Sequence, residues 1–400
     1  MRVLVTDGDQ RSALAVTRAL GQQHVQVIVG AETTSSLAAA SRYCSRSFAY
    51  PSPYADPESF VSKLLELVQH DHIAAVFPIS DVAMRLIGTE KQQFERYTAV
   101  PIPPMSVFEE ISDKYRLMKL ALELQVPIPE TIFVPNGHVE KVIDGISRFP
   151  VVVKPGCSLL KKNGQWSKTS VHFAASAEEL FRLYREREYL QQPSLIQQRV
   201  AGEGQGLFVL MDHGEPVTFF AHRRLRERPP SGGVSVLRES IDLPKPMTDY
   251  ALRLLQHVGW HGVAMVEFKI DRQSEVPLLM EVNGRFWGSL QLALDAGVNF
   301  PYLLYQMATG QLTSVPLSSY QVGVKSRWLL GDLDHLLLRF FKPEEELRLP
   351  PGSPTKYQCL LAFCRFFQRG IRYEVERFED PWPAVFEFRQ YVKDLLRGHA

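Results

Sequence analysis

A chain of 400 residues exceeds one ordinary hydrophobic core, so two or three domains are expected, and 45% hydrophobic with 22% charged residues is the composition of a globular protein. With 45 basic against 44 acidic residues the net charge is +1, which gives no bulk electrostatic grip on nucleic acid or membrane, so any anionic ligand must be held by a local cluster. Cys44, Cys157, Cys359 and Cys364 show no zinc or disulfide spacing, and no run suits a signal peptide or membrane span; a reduced, cytoplasmic setting is expected.

Residues 1–105 alternate strand-like and helix-like segments: Val3–Val5, helix Ala13–Leu20, strand Val25–Val29, helix Phe60–Gln69, strand Ala74–Pro78, and a helix from Asp81. This rhythm predicts a parallel sheet covered by helices. The first turn has Gly8 without a Gly-x-Gly-x-x-Gly run, so the dinucleotide fingerprint is missing and the domain reads as scaffold and part of a substrate cleft. The prolines from Pro101 to Pro104 mark a boundary.

A helix then opens at Ser112-Asp113-Lys114, capped by Ser112 or Asp113. Lys114 opposes the helix dipole there, which suggests either a ligand contact or an exposed surface lysine. Val151–Lys154 is a buried-type strand ending in a lysine, and a loop of small and basic residues from Gly156 to Gly164 follows it. Such a lysine can hold phosphate as a point charge while backbone N–H groups close over it. Ser194–Val200 is a strand entering the glycine-rich turn Gly202-Glu203-Gly204, whose backbone could pair with an adenine edge. Gly206–Met211 and Val217–Ala221 form a hairpin around Asp212-His213-Gly214. The segment His222–Ser235, with Arg223, Arg224, Arg226 and Arg228 before Ser-Gly-Gly, reads as a mobile cationic loop able to close on a carboxylate or phosphoryl group.

Val263–Asp271 and Leu278–Gly288 are two neighbouring strands carrying one carboxylate each. Their pairing sets Glu267 beside Glu281, with Asn283 on the face of Glu281 because side chains alternate. That oxygen-rich face suits Mg²⁺ completed by substrate phosphates; the alternative is a sheet with two unrelated surface acids. Val322–Trp328 is a late strand with Arg327 as a possible anion contact, and the tail from Gly331 carries no legible motif and is expected to pack on the main body.

This order, Lys114 at a helix start, Lys154 on a strand, the segment 196–200, then Glu267 and Glu281-Val282-Asn283, resembles the ATP-grasp superfamily, in particular its carboxylate–amine/thiol ligase branch with carbamoyl-phosphate-synthase-like domains. The resemblance implies an α/β and α+β fold: a Rossmann-like pre-ATP-grasp domain (1–105), an ATP-grasp domain of two lobes hinged near 196–203 (106–330), and a C-terminal extension (331–400). It implies that Lys114 and Lys154 contact ATP phosphates, that Gln198, Arg199 and Val200 hold adenine, and that Glu203 is a ribose candidate. Glu267, Glu281 and Asn283 would hold Mg²⁺ (or Mn²⁺), and Arg285, Arg226 and Lys154 would serve the transferring phosphoryl group. Gln197-Gln198 departs from the acidic hinge of many relatives. The implied reaction is ATP-dependent activation of a carboxylate as an acylphosphate for attack by an amine or similar nucleophile, in a protein acting on small molecules, with a homodimer as the candidate assembly. The alternatives are a bicarbonate-activating enzyme and a non-catalytic ATP sensor.

Overall fold

The computed structural model describes residues 1–313, 317–349, 352–366, 368 and 370–397. Strands β1 (Arg2–Val5), β2 (Gln26–Ala31), β3 (Cys44–Ala49) and β4 (Ile73–Phe77) form a parallel sheet in the order β3-β2-β1-β4. Parallel neighbours need crossovers, here including helices Arg11–Gly21 and Pro57–His70. The edge strand β3 lies outside the expected elements because Cys-Ser-Arg-Ser-Phe-Ala is polar and largely solvated, with no apolar run to announce it.

After Pro101–Pro104 the helix Met105–Ser112, also outside the expected elements, runs directly into the helix Lys114–Glu123. Asp113 alone separates them. It caps the second by accepting from the N–H groups of Tyr115 and Arg116, so the cap is Asp113 rather than Ser112.

Strands β5 (Thr131–Val134), β6 (Val151–Pro155), β7 (Leu159–Lys162), β8 (Gln165–Lys168), β9 (His172–Ala174) and β10 (Ser194–Gln198) come next. Four of them make an antiparallel sheet in the order β5-β10-β6-β9, while β7 and β8 pair separately. The stretch expected as a loop after Lys154 is therefore mostly a hairpin, and Asn163-Gly164, with φ of 51° and 81°, supplies its turn.

The third sheet contains β11 (Gly202–Asp212), β12 (Glu215–Arg228), β13 (Val234–Ser240), β14 (Gly262–Asp271), β15 (Pro277–Asn283), β16 (Lys325–Arg327) and β17 (Ile371–Tyr373), in the order β15-β14-β11-β12-β13-β16-β17. Only Arg199–Ala201 separate β10 from β11, so the chain passes from one sheet to the other within three residues. The expected mobile arginine loop is instead the paired arm of β12 and β13, with a turn only at 229–233. Carboxylates neutralise its arginines, most of them remote in sequence: Arg223 bonds Glu239, Arg224 bonds Glu267 and the nearby Glu227, and Arg226 bonds Asp332.

The tail is bound tightly. Strand β17 runs parallel to β16. Arg18 donates to Asp380 at 2.8 Å and to the carbonyls of Glu374 and Val375, while Ser41 and the Arg42 N–H also donate to Asp380, which is fully buried. Glu374 takes Arg11 and Arg238. Arg327 is not an anion contact: it is fully buried, donates to Asp332 at 2.7 Å and lies over the rings of Phe363 and Phe366. The four cysteines are free, and among the described residues no helix is long and apolar enough to cross a membrane.

Removing one partner of a buried pair leaves the other charge uncompensated, so Asp380→Ala is expected to lower the unfolding free energy by about 3–5 kcal/mol. Urea denaturation checks this; a loss below about 1 kcal/mol, the range of exposed pairs, would mean that the tail is not anchored through Asp380.

Candidate functional site

Strands β14 and β15 pair antiparallel with Glu267 directly opposite Glu281. Directly opposed residues on one sheet face bring their side chains into contact. Beyond Glu267 the register slips, so Met280 forms a bulge and Phe268 pairs with Leu279. Asn283, two residues past Glu281, donates its amide N–H to Glu281 Oε1 at 3.1 Å.

Two carboxylates in contact repel unless each has its own cation. Lys114 places Nζ 3.0 Å from Glu281 Oε2 and also donates to Ser158 Oγ at 3.2 Å. Glu281 is accordingly held down at about 2, chiefly by Lys114, with burial opposing and Lys154 assisting. Lys114 itself is raised: burial works against its charge, but Glu281, with Asp81 and Glu267, together outweigh it. Glu267 is raised by burial, against the opposing pull of the Arg224 guanidinium, which bonds it directly.

Lys114 reaches this position because Gly156 accepts the Lys114 N–H through its carbonyl at 2.8 Å, bringing the helix start against the end of β6. A Cβ at Gly156 would lie 2.9 Å from the Pro193 carbonyl and 3.0 Å from Asp113, so the approach needs glycine. Lys154 projects from the same strand end, is 7% exposed, and has no ion-pair partner among the described residues. Burial pushes its ammonium down to about 8. An uncompensated buried lysine facing two carboxylates is prepared for a ligand that brings negative charge.

These groups share a cleft of about 560 Å³. Val152, Lys154, Phe173 and Gln197–Val200 line one part; Glu267, Glu281, Asn283, Arg285, Trp287 and Gly288 line another. Lys114 lies in a small recess that shares Glu281 and Asn283 with this cleft. Gln198 gives its side-chain amide to Ser147 and to the Arg148 carbonyl, and its backbone N–H to the Glu130 carbonyl at 2.9 Å, so its side chain is committed within the protein. Arg199 sits over the Phe173 ring and donates to the Arg348 carbonyl at 2.6 Å. Arg285 is fixed by Asp81, Nε and Nη2 each donating at 3.1 Å to one carboxylate oxygen, and by the Phe286 carbonyl.

Two expected site residues fall outside the cleft wall. Glu203 lies on β11 and accepts from Gln205 at 2.9 Å. Arg226 is bonded bidentately to the buried Asp332, at 2.7 and 2.6 Å. The register explains it: Arg224 pairs with Arg238 but Arg226 with Leu237, so one extra residue on β12 turns Arg226 to the opposite face from Arg224. Arg224 takes the place expected of Arg226 in the cleft, and a Cβ at Gly204 would approach its Cδ to 3.0 Å.

Sequence reading also missed His222, which lines the cleft, is 1% exposed, and has no hydrogen-bond partner at either ring nitrogen among the described residues. Burial holds it neutral, well below the usual histidine range. Only alternation along β12, counted back from the later-known Arg224, could have placed it on this face.

The donor set fits a hard divalent cation: two carboxylates and an amide oxygen on one sheet face, with Lys114 and Arg224 supplying positive charge to the same oxygens in its place.

Residues 191–329 match the family model described as ATP-grasp in the biosynthetic pathway with Ter operon. No curated protein matches the chain. Among solved structures, the L-amino acid ligase of Bacillus licheniformis is 14% identical with a TM-score of 0.59, over 77% of this chain and 74% of that one. Biotin carboxylase of Campylobacter jejuni, solved with β,γ-ATP, is 13% identical with a TM-score of 0.62, over 81% and 74%. The N5-carboxyaminoimidazole synthetase of Staphylococcus aureus, solved with ADP, is 13% identical with a TM-score of 0.61, over 81% and 80%. At these identities the solved structures show that the chain shares the ATP-grasp fold, and residues 191–329 carry the match to an ATP-grasp family model.

Proposed function

We propose that the chain is an ATP-dependent ligase that transfers the γ-phosphoryl group of ATP to a substrate carboxylate and joins the acyl group to an amine or similar nucleophile. The observation that supports this best is the opposed pair Glu267 and Glu281 sharing a cleft with the uncompensated Lys154. Glu267, Glu281 and Asn283 would hold Mg²⁺, or Mn²⁺ in its place. When bound, the ion would neutralise phosphate oxygens that the protein alone leaves charged.

In this reading the backbone of Gln198–Val200 and the Phe173 side hold the base, while Lys114 and Lys154 offset phosphate charge. A carboxylate oxygen of the substrate attacks the γ-phosphorus, the bond to the β,γ-bridging oxygen breaks, and ADP leaves. Arg285, already oriented by Asp81, offers its remaining donor capacity to the acylphosphate without reorganising. The nucleophile then attacks the acyl carbon and inorganic phosphate departs. Positioning and charge compensation carry this chemistry, so no side-chain nucleophile is required. Arg224 belongs to this set in place of Arg226, and Glu203 is left out. Small-molecule partners and a homodimer belong to the same proposal, as does division of the chain at 105 and 330.

Glu281→Gln is expected to leave the fold intact, by circular dichroism and thermal midpoint, and to abolish ADP release dependent on an added carboxylate and amine. Undiminished turnover by the variant would rule out the metal assignment; nucleotide binding by the wild type with no ADP formed from any carboxylate–amine pairing would favour a sensor.

Lys154 gives a pH signature. Its ammonium, pushed down to about 8, is partly neutral in the free protein near that pH, and nucleotide phosphates favour the charged form. MgATP binding at pH 8 should therefore take up a fraction of a proton, and affinity should fall as pH rises beyond 8, by up to about tenfold per unit. Titration calorimetry in buffers of different ionisation enthalpy measures this. Proton release, or an affinity independent of pH from 7 to 9, would contradict the role of Lys154.

A further inference from the structure

A second cavity, of about 610 Å³, lies next to the nucleotide cleft and shares Pro229 and Val234 with it. It is bounded by the residues opening the first long helix, the turn between β12 and β13, and the C-terminal helix Trp382–Leu396. Arg11 connects the two spaces: it lines the cavity, and a Cβ on the cleft residue Gly288 would lie 3.3 Å from its Nη2. The volume is that of a small-molecule site.

The charges on its wall are unequal in what they have left to offer. Arg11 is paired with Glu374 at 2.6 Å and stacked 3.8 Å from the Trp328 ring centre, and Arg228 is paired with Asp334 at 2.9 Å. The two carboxylates, Asp9 and Glu387, have no cationic side chain within ion-pair distance among the described residues. Glu387 accepts from the Trp328 indole N–H at 2.9 Å, and Asp9 accepts from the Leu37 backbone N–H. Burial pushes Glu387 up to about 7 and raises Asp9, as expected of carboxyl groups lacking a counter-charge. Leu37, Leu338 and Phe386 supply apolar wall between them. A cavity whose cations are already neutralised and whose carboxylates are not selects a cation with an apolar body.

We propose that this cavity binds the amine co-substrate, a primary ammonium on an apolar body, with Asp9 and Glu387 as its carboxylate partners and Leu338 and Phe386 against its hydrocarbon. The role as co-substrate site rests on the ligase reading above; the amine site itself does not. The ligand would stand beside the cleft that holds Arg285, next to Gly288 and across the shared Pro229 and Val234.

Titration calorimetry with phenethylamine, 4-phenylbutylamine and L-phenylalanine amide tests this, with phenylacetate as the opposite charge and MgATP titrated in parallel. At least one amine should bind the wild type, with phenylacetate at least about tenfold weaker, a difference one charge contact can supply. Glu387→Gln and Asp9→Asn should each weaken the amine by about tenfold, and Leu338→Trp, which fills the cavity, should abolish binding. No amine binding to a wild type that binds MgATP, or equal binding by all three variants, overturns the cavity proposal and leaves the ligase reading standing. Amine binding by a protein that does not bind MgATP overturns the ligase reading and leaves an amine site.

Discussion

The contact between Lys114 and Glu281 is the constraint on which the cleft depends. Opposing two carboxylates across β14 and β15 is unfavourable by itself, and a protein selected for stability alone would place an apolar pair there. The arrangement persists because the cations come from elsewhere: Lys114 from a helix start set against Gly156, and Arg224 from the long arm of β12. Each cation meets its carboxylate through a different element, so the helix, β6, β12, β14 and β15 are drawn to one point. The result is a site held ready in charge and shape. Glu281 stays ionised far below neutral pH, while Lys154 has no ion-pair partner among the described residues. In the proposed function that imbalance is what nucleotide phosphates relieve.

The same economy holds the rest of the chain together. Charges exposed in the sequence are mostly satisfied at long range, as Arg18 with Asp380, Arg238 with Glu374 and Arg226 with Asp332. The first two pairs fasten Glu374 and Asp380 to β13 and to the helix Arg11–Gly21, and so hold the start of the C-terminal helix against these elements. The tail thereby contributes Phe386 and Glu387 to a cavity that neither of the earlier sheets would enclose.

What the sequence made legible were features whose signal is local. The period-two alternation placed Glu267, Glu281 and Asn283 on one face; the βα rhythm predicted the parallel sheet; the strand before Lys154 and the hairpin at Asp212-His213-Gly214 formed where expected. Features set by distant contacts were not legible. Strand β3 carries no apolar run, and β7 and β8 are four residues each, lysine-bearing and largely solvated. A single bulge between Arg224 and Arg226 exchanged which arginine faces Glu267, and composition contains no record of a bulge. The arginine-rich arm looked mobile because its compensating carboxylates, Glu239, Glu267 and Asp332, lie elsewhere in the chain. His222 escaped notice because an unpartnered histidine is a property of its surroundings.

The central claim is that Glu267, Glu281 and Asn283 hold a divalent ion against nucleotide phosphates that Lys114 and Lys154 also contact. Anomalous diffraction from crystals of the protein grown with MnADP tests it most directly. The account predicts one or more manganese peaks bonded to Glu267 and Glu281 carboxylate oxygens, with the diphosphate reaching Lys154. Manganese or nucleotide bound elsewhere, with Lys114 still closed on Glu281, would contradict it.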